Sequence, residues 1–314
     1  MILPRDKAQH VSHCLELAVL LEASAHKPGN VSVVTNFEHT RYEHFLASAV
    51  AATPSFEYAA SRGMAVADGR LGTAEIGVGS MVKNCVAYID RWQHGGNTLL
   101  GAVMLLAPLG VAAGMTPRSQ ESFHVPALRM NLKRVIESTT PQDAVDVYEA
   151  IRIAKPSGLG KVPRLDVTNP NAEEQILKEQ TSLLEVFRIA EPYDLICSEW
   201  VNNYPVTFDF AYPRLMKRLQ SGGFNGSVIE TFLLVLSEYP DTFIARKAGL
   251  NKAREVSLRA EQVLSSGLDT AEGRKRLVAF DNWLRASSNL LNPGTTADVM
   301  AAALALCVLG GYRP

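Results

Sequence analysis

Apolar residues recur three and four positions apart along most of this chain, while two-residue alternation of useful length is nearly absent. Such a chain has stripes to bury on helices and almost none to bury on a sheet, so it must pack helix on helix. Val11, Leu15, Ala18, Val19 and Glu22 set a first helix over 6–25, which stops at Lys27-Pro28-Gly29. Small residues (FLASAVAA) continue a second over 43–52, expected to end before Pro54, and a third runs over 74–89 despite Gly77 and Gly79. Asn97 and Thr98 offer caps for a helix opening at Leu99, with Pro108 expected to kink or end it. Thr140-Pro141 reads as N-cap and first helical residue for 140–154, and Asn171 as the cap of one amphipathic run over 172–190. Further helices are expected over 226–238, 251–264, 271–288 and 296–309, and the best strand candidate is 204–210. The fold class predicted is all-α, a large single-domain helical bundle of about ten or more helices over 1–314. The segment 155–171 (KPSGLGKVPRLDVTNPN) is expected to be a lid or a connecting loop.

Composition removes several function classes. Lys+Arg 31 nearly balances Asp+Glu 32, so no bulk attraction to nucleic acid or to an acidic membrane is expected. The apolar stretches 99–115 and 299–311 are broken by Gly101, Pro108, Gly110 and Gly114 or are too short, against the roughly 20 apolar residues of a spanning helix. Both read as buried core helices, and no membrane partner is expected. The start, MILPRDKAQH, lacks the apolar region of a signal peptide, so a cytoplasmic protein is expected. Cys14, Cys85, Cys197 and Cys307 are far apart, without metal-ligand spacing, and read as buried thiols in a reducing compartment.

The densest polar stretch is 22–48 (EASAHKPGNVSVVTNFEHTRYEHFLAS). Glu22 lies along the apolar side of its helix, and Lys27 follows just past the helix end. Pro28 cannot continue the helix and Gly29-Asn30 accept left-handed conformations, so the turn can present N–H groups and a lysine to an anionic oxygen. The alternative is a glycine C-cap with a solvated lysine. Glu38, His39, Glu43 and His44, read on a helix, place metal or proton-transfer groups on one face, or merely a solvated one; no HExxH is present. Residues 95–101 (GGNTLLG) form a glycine turn opening a buried helix, suited to a phosphate or to a plain N-cap, and lack the Walker lysine. Residues 292–298 (NPGTTAD) repeat that design, which suggests a pocket floored by buried helix ends. Asp241, Arg246 and Lys247 set an acid and two bases before Gly249, with ion pairing at a helix end as the alternative.

Taken together, Glu22-x4-Lys27-Pro28-Gly29-Asn30-Val31, Phe45-x2-Ser48, Gly96-Asn97-Thr98-x2-Gly101, Asp241-x4-Arg246 and Asn292-Pro293-Gly294-x2-Ala297-Asp298 resemble the motifs of the triphosphoribosyl-dephospho-CoA synthase family, in order and at similar spacing. The likeness covers both ends of the chain, whereas 116–237 carries little of it. It implies an all-helical fold and a reaction in which ATP donates a triphosphoribosyl group to a 2′-hydroxyl of dephospho-CoA while adenine leaves. Adenine is β-linked in ATP and the family's product is α-linked, which implies inversion in one displacement. That displacement needs a base, an acid for adenine and a triphosphate neutralised by Mg2+, with carboxylates stabilising an oxocarbenium-like transition state. Carried over by position, the resemblance implies Glu22 and Asp298 as catalytic groups and Glu22, Asp241 and Asp298 as metal ligands. It implies Lys27, Gly29, Asn30, Ser48, Asn97, Thr98, Gly101, Arg246, Lys247, Asn292 and Gly294 as substrate and phosphate contacts. The partners implied are small nucleotide substrates, with a homodimer left open.

One departure bears on the substrate. Well-known members of the family carry His-Lys between Asn-Thr and Gly, where this chain has Leu99-Leu100. The chain therefore resembles a divergent branch, in which a second acceptor enters the reading: a ribitol-type hydroxyl of a methanopterin-like cofactor, with phosphoribosyl pyrophosphate as donor. A metal-dependent N-ribosyl hydrolase and a non-catalytic nucleotide-binding helical protein are the competing classes.

Overall fold

Asp6 opens the first helix by accepting the Ala8 N–H with its carboxylate, and from there the chain is helical nearly throughout. The computed structural model describes residues 6–160, 162, 164–286 and 289–314. Positions 161 and 163 of the 155–171 loop and 287–288 of the helix expected over 271–288 lie outside the described residues. Fifteen α-helices are present among the described residues. They are α1 (Lys7–Ser24), α2 (Tyr42–Ala67), α3 (Val78–Trp92), α4 (Leu100–Met115), α5 (Val125–Glu137), α6 (Pro141–Ala154), α7 (Ala172–Glu179) and α8 (Leu183–Ala190). The chain continues as α9 (Leu195–Val201), α10 (Tyr212–Ser221), α11 (Phe224–Glu238), α12 (Thr242–Ala248), α13 (Leu250–Ser265), α14 (Ala271–Arg285) and α15 (Gly294–Leu309). A two-residue hairpin, β1 (Arg118–Ser119) with β2 (Ser122–Phe123), is the only sheet among the described residues. The all-α expectation holds.

The two apolar segments become the centre of the molecule. Every residue of α4 but Gly101 is buried, and α15 is buried from Val299 to Leu309. A helix apolar all round has no face for water and must be surrounded by others. α1 and α2 pack on this pair, α3 and α6 close one flank, and α10 to α13 close the other, so the buried side chains make one continuous core. No helix among the described residues is long and apolar enough to cross a membrane. Gly63 of α2 lies so close to the Val111 carbonyl of α4 that a Cβ there would collide with it. All four cysteines are free and buried, and burial pushes the Cys14 thiol up to about 11 and that of Cys85 to about 12.

Several expected boundaries are corrected. α2 does not end before Pro54 but runs through it to Ala67, because the break falls on the solvent side, where Val50 is 51% exposed and water can take its orphaned carbonyl. α4 likewise runs straight through Pro108. Here the break is buried, and side chains repair it: Trp200 Nε1 donates to the Met104 carbonyl at 3.1 Å, and the Tyr204 hydroxyl donates to that of Leu105 at 3.2 Å. The stretch expected over 74–89 divides at Gly77, whose φ of 71° breaks the helical path, into a 3₁₀ turn (Thr73–Glu75) and α3. The run over 172–190 is two helices: Gln180 leaves α7 in a left-handed conformation and Ser182 starts α8 by exchanging hydrogen bonds with Glu185. Asn171 precedes α7 without a side-chain capping bond.

The strand expected over 204–210 is a π-helical turn over Val206–Ala211. Its first N–H groups, Val206 and Thr207, donate to the two oxygens of the buried Glu199 carboxylate at 2.7 and 2.9 Å, which overrides the β-branched propensity of the segment. Glu38 and His39 sit in the bend before α2, 84% and 86% exposed at the side chain, and so share no helix face with Glu43. Among the helices, α5, α9, α10 and α12 were not expected.

Candidate functional site

The site is built where three helix ends converge: the C-terminus of α1 and the N-termini of α4 and α15. Glu22 lies in the last turn of α1 with its side chain 8% exposed, and Oε1 is 3.0 Å from Lys27 Nζ. Lys27 also donates to the carbonyls of Glu22 and, at 3.2 Å, Ala25, so it closes the end of α1 as a C-cap. The turn that follows is held from behind. Gly29 has a φ of 75°, and its N–H donates to Asp281 Oδ1 of α14 at 2.7 Å. Arg285 pairs with Asp281 and donates to the Asn30 carbonyl at 2.6 Å and to Thr35 at 3.2 Å. Asn30 N–H bonds the Lys27 carbonyl and its side chain the Pro28 carbonyl. The turn that the sequence offered as an anion cradle therefore spends these donors internally.

Gly29 also backs onto the second Pro-Gly turn: a Cβ at Gly29 would lie 2.9 Å from Pro293 Cδ. Pro293 opens α15, and Asp298 one turn in accepts the Ala102 N–H at the start of α4. A Cβ at Gly101 would strike Asp298 Oδ2, so glycine at this position lets the carboxylate seat on the helix end. Asn97 Oδ1 takes the neighbouring Leu100 N–H at 3.1 Å, as its capping position implied. Burial pushes the Asp298 carboxyl well above the usual carboxylate range, and the negative charges of Glu22 and then Asp241 push it further, against the Ala102 hydrogen bond. Glu22 and Asp298 are thus brought together at the site.

Asp241 is placed differently. It is fully buried, Oδ1 accepts the Ile244 N–H at 3.0 Å, and Oδ2 accepts both the N–H and hydroxyl of Thr296 at 2.8 Å. It clamps the starts of α12 and α15 to each other, helped by Thr295, whose hydroxyl accepts the Phe243 N–H. Burial raises its carboxyl above the ordinary value despite these bonds. Among the described residues no three His, Cys, Asp or Glu side chains gather as a metal-ligating group, so Glu22, Asp241 and Asp298 do not form one triad of ligands.

Arg246 pairs with Asp194, and its charge reaches Asp241 and Asp298. Lys247 donates to the Asn289 carbonyl at 2.7 Å and lies 4.0 Å over the Phe243 ring; burial pushes its ammonium down to about 8. Gly158 rests on this pair, since a Cβ there would lie 2.9 Å from Lys247 Cγ and 3.3 Å from Arg246 Cβ. Gly294 sits against the same Phe243 ring, and Asn292 Oδ1 is buried with no hydrogen-bond partner. On the other side, Thr98 and Ser48 share a 2.7 Å hydrogen bond, and the Ser48 hydroxyl donates to the His44 carbonyl at 2.6 Å. Beside them Asn97, Thr98, Leu99 and Leu100 line a narrow crevice of about 20 Å³ with Val86 and Ile89.

Sequence reasoning missed the supports. Gln93 takes the Gly95 N–H and donates to the Gly96 carbonyl, shaping the 95–101 loop. Asp281 and Arg285 were readable only as a helical i,i+4 pair, with nothing to tie them to a turn some 250 positions away. Asp194 and Phe243 carried no signal at all.

A search of curated proteins gives no match. A solved structure from Archaeoglobus fulgidus, provisionally described as a triphosphoribosyl-dephospho-CoA synthase, is similar with a TM-score of 0.62 and 25% identity, covering 85% of this chain and 100% of that one. The family model described as CitG, ATP:dephospho-CoA triphosphoribosyl transferase, matches residues 8–314. With the motifs read in the sequence gathered at one convergence of helix ends and the family model spanning nearly the whole chain, this protein belongs to the ATP:dephospho-CoA triphosphoribosyl transferase family.

Proposed function

We propose that Glu22 and Asp298 carry the family's transfer of the triphosphoribosyl group from ATP to dephospho-CoA in this chain, in a displacement that depends on Mg2+. The observation that carries the proposal is the crowding of these two carboxylates at the ends of α1, α4 and α15. The negative charge of Glu22 makes a proton or a cation at Asp298 more favourable, and the reaction asks for both. Mg2+ is content with one or two carboxylates, water and phosphate oxygens, so the lack of a three-residue ligand cluster is no obstacle. Glu22, through the oxygen that Lys27 leaves free, and Asp298 would hold it; bound there, it supplies positive charge to the triphosphate.

The chain's own groups then divide the work. Asp298 in its ionised form takes the proton from the attacking 2′-hydroxyl as the C1–N bond to adenine breaks, and its raised proton affinity suits that acceptance; solvent returns a proton to the departing adenine. Glu22 faces the positive charge that develops on the ribose as adenine departs. Arg246 and Lys247 meet the polyphosphate from under the 155–171 loop, which would act as their cover. Ser48, Asn97, Thr98, Gly101, Asn292 and Gly294 line the approach, and Asn292 Oδ1, buried and unpartnered, is an acceptor awaiting a substrate donor. Asp241 is assigned the role of a strut between α12 and α15. The four unpaired thiols suit a reducing compartment, so we place the reaction in the cytoplasm.

A second reading keeps the donor chemistry and changes the acceptor. Leu99 and Leu100, 4% and 8% exposed, put apolar side chains beside Thr98 where well-known members of the family carry His-Lys. Purified protein incubated with Mg2+ and either ATP or phosphoribosyl pyrophosphate, with and without dephospho-CoA, separates the readings by mass spectrometry. Adenine released from ATP only when dephospho-CoA is present is the expected result. No consumption of either donor with dephospho-CoA overturns the acceptor, and ribose phosphate released without an acceptor points to a hydrolase.

A further inference from the structure

Lys27 was expected among the phosphate contacts, and its surroundings argue for a different task. Its residue is 2% exposed, and an ammonium has three N–H bonds to give. It has three partners: the Glu22 and Ala25 carbonyls accept two of its N–H bonds, and Glu22 Oε1 pairs with its charge at 3.0 Å. Reaching a phosphate would mean abandoning all three, uncapping α1 and stripping the buried Glu22 of its counter-charge. Meanwhile Glu22 Oε2 takes no hydrogen bond among the described residues. One oxygen of the carboxylate is therefore anchored and the other is left to the site.

We propose that Lys27 is a positioning residue that locks the Glu22 carboxylate in one orientation beside Asp298, and that it does not bind the triphosphate. The inference rests on the reading of Glu22 as a group that acts on the ribose. It also explains the choice of lysine: a compact charge with tetrahedrally spread donors reaches two backbone carbonyls and a carboxylate of the same turn, which a planar guanidinium cannot. The lock follows from chain geometry alone, because Pro28 turns the backbone away immediately after Lys27 and leaves its side chain to fold back over the helix end.

The test pairs turnover with ATP binding measured by calorimetry in Lys27→Met, Lys27→Arg, Glu22→Gln and the Glu22→Gln/Lys27→Met double variant. If the lock operates, Lys27→Met lowers kcat by about 100-fold, the scale for losing a placed catalytic group. Its ATP Kd stays within about twofold of wild type. The double variant turns over no more slowly than Glu22→Gln alone, and Lys27→Arg fails to rescue. An ATP Kd raised about tenfold or more with kcat retained identifies a phosphate ligand and overturns the proposal, as do losses that multiply in the double variant. Thermal unfolding of the same four proteins gives a readout independent of activity: the double variant melts above Lys27→Met, because no charge is left unpaired. Should wild type consume no ATP, the assigned reaction fails while the melting cycle still decides the lock. Should Lys27→Met not fold, a folded double variant upholds it, and a double variant that also fails to fold overturns it.

Discussion

At the scale of single residues, the buried acids are distinguished by what their oxygens touch. Asp241 has both oxygens engaged by donors, in three hydrogen bonds, and serves as a clamp, whereas Asp298 accepts the Ala102 N–H and senses the charge of Glu22. Glu199 is a third case, fully buried and far from the site motifs in sequence, with its carboxyl pushed up to about 7. Burial is the main cause; the hydrogen bonds from Thr207 and Val206 and the charge of Arg129 pull the other way, and Tyr204 and Tyr239 are the other titratable groups that sense it. Because the folded protein holds this proton more tightly than the unfolded chain, the contribution to stability is full below about pH 4.5 and declines as pH rises through about 7. The decline is on the order of 3 kcal/mol. Urea midpoints of wild type and Glu199→Gln across that range check this: the difference between the two curves should slope with pH, and parallel curves would discard the assignment. Glu199 shows the limit of sequence reading at this scale, since nothing around it in the chain marks it as the anchor of a π-helical turn.

At the scale of elements, the prolines are the instructive cases. Pro108 reads as a helix breaker and does remove an N–H from α4, but the Trp200 indole and Tyr204 hydroxyl take the carbonyls that the break leaves exposed. The helix survives because its neighbours supply donors, and neither donor lies within ninety residues of the proline in sequence. Trp200→Phe should therefore cost about 1–3 kcal/mol from the stranded Met104 carbonyl, in addition to lost packing against Phe187. Tyr204→Phe, which loses a hydroxyl and little volume, should cost about 1–2 kcal/mol. Denaturant midpoints test both, and an unchanged Tyr204→Phe midpoint would mean that α4 does not depend on these donors. Pro54 needs no such partner, because its break faces water.

At the scale of the whole molecule, α14 fastens the ends of the chain together. Its Asp281 and Arg285 hold the 27–35 turn, and that turn leans on Pro293 ahead of α15. Arg285→Met should release the turn: hydrogen exchange should quicken over 28–37 and leave α4 unchanged. Unchanged exchange in the turn would show that Asp281 suffices alone. The sequence by itself determined the helical class and the burial of the two apolar helices, and it singled out Glu22, Lys27, Asn97 and Asp298 as candidates, because periodicity, caps and motif spacing are local properties of a chain. Only the tertiary structure decided that Lys27 is saturated, that Asp241 is a clamp, that Glu38 and His39 stand outside and that Pro108 is tolerated. The roles of Asp241 and Pro108 depend on which donor meets which acceptor across tens of residues, a meeting that a linear pattern does not record. Lys27 folds back on its own turn and Glu38 and His39 fall in a bend, which spacing alone does not reveal.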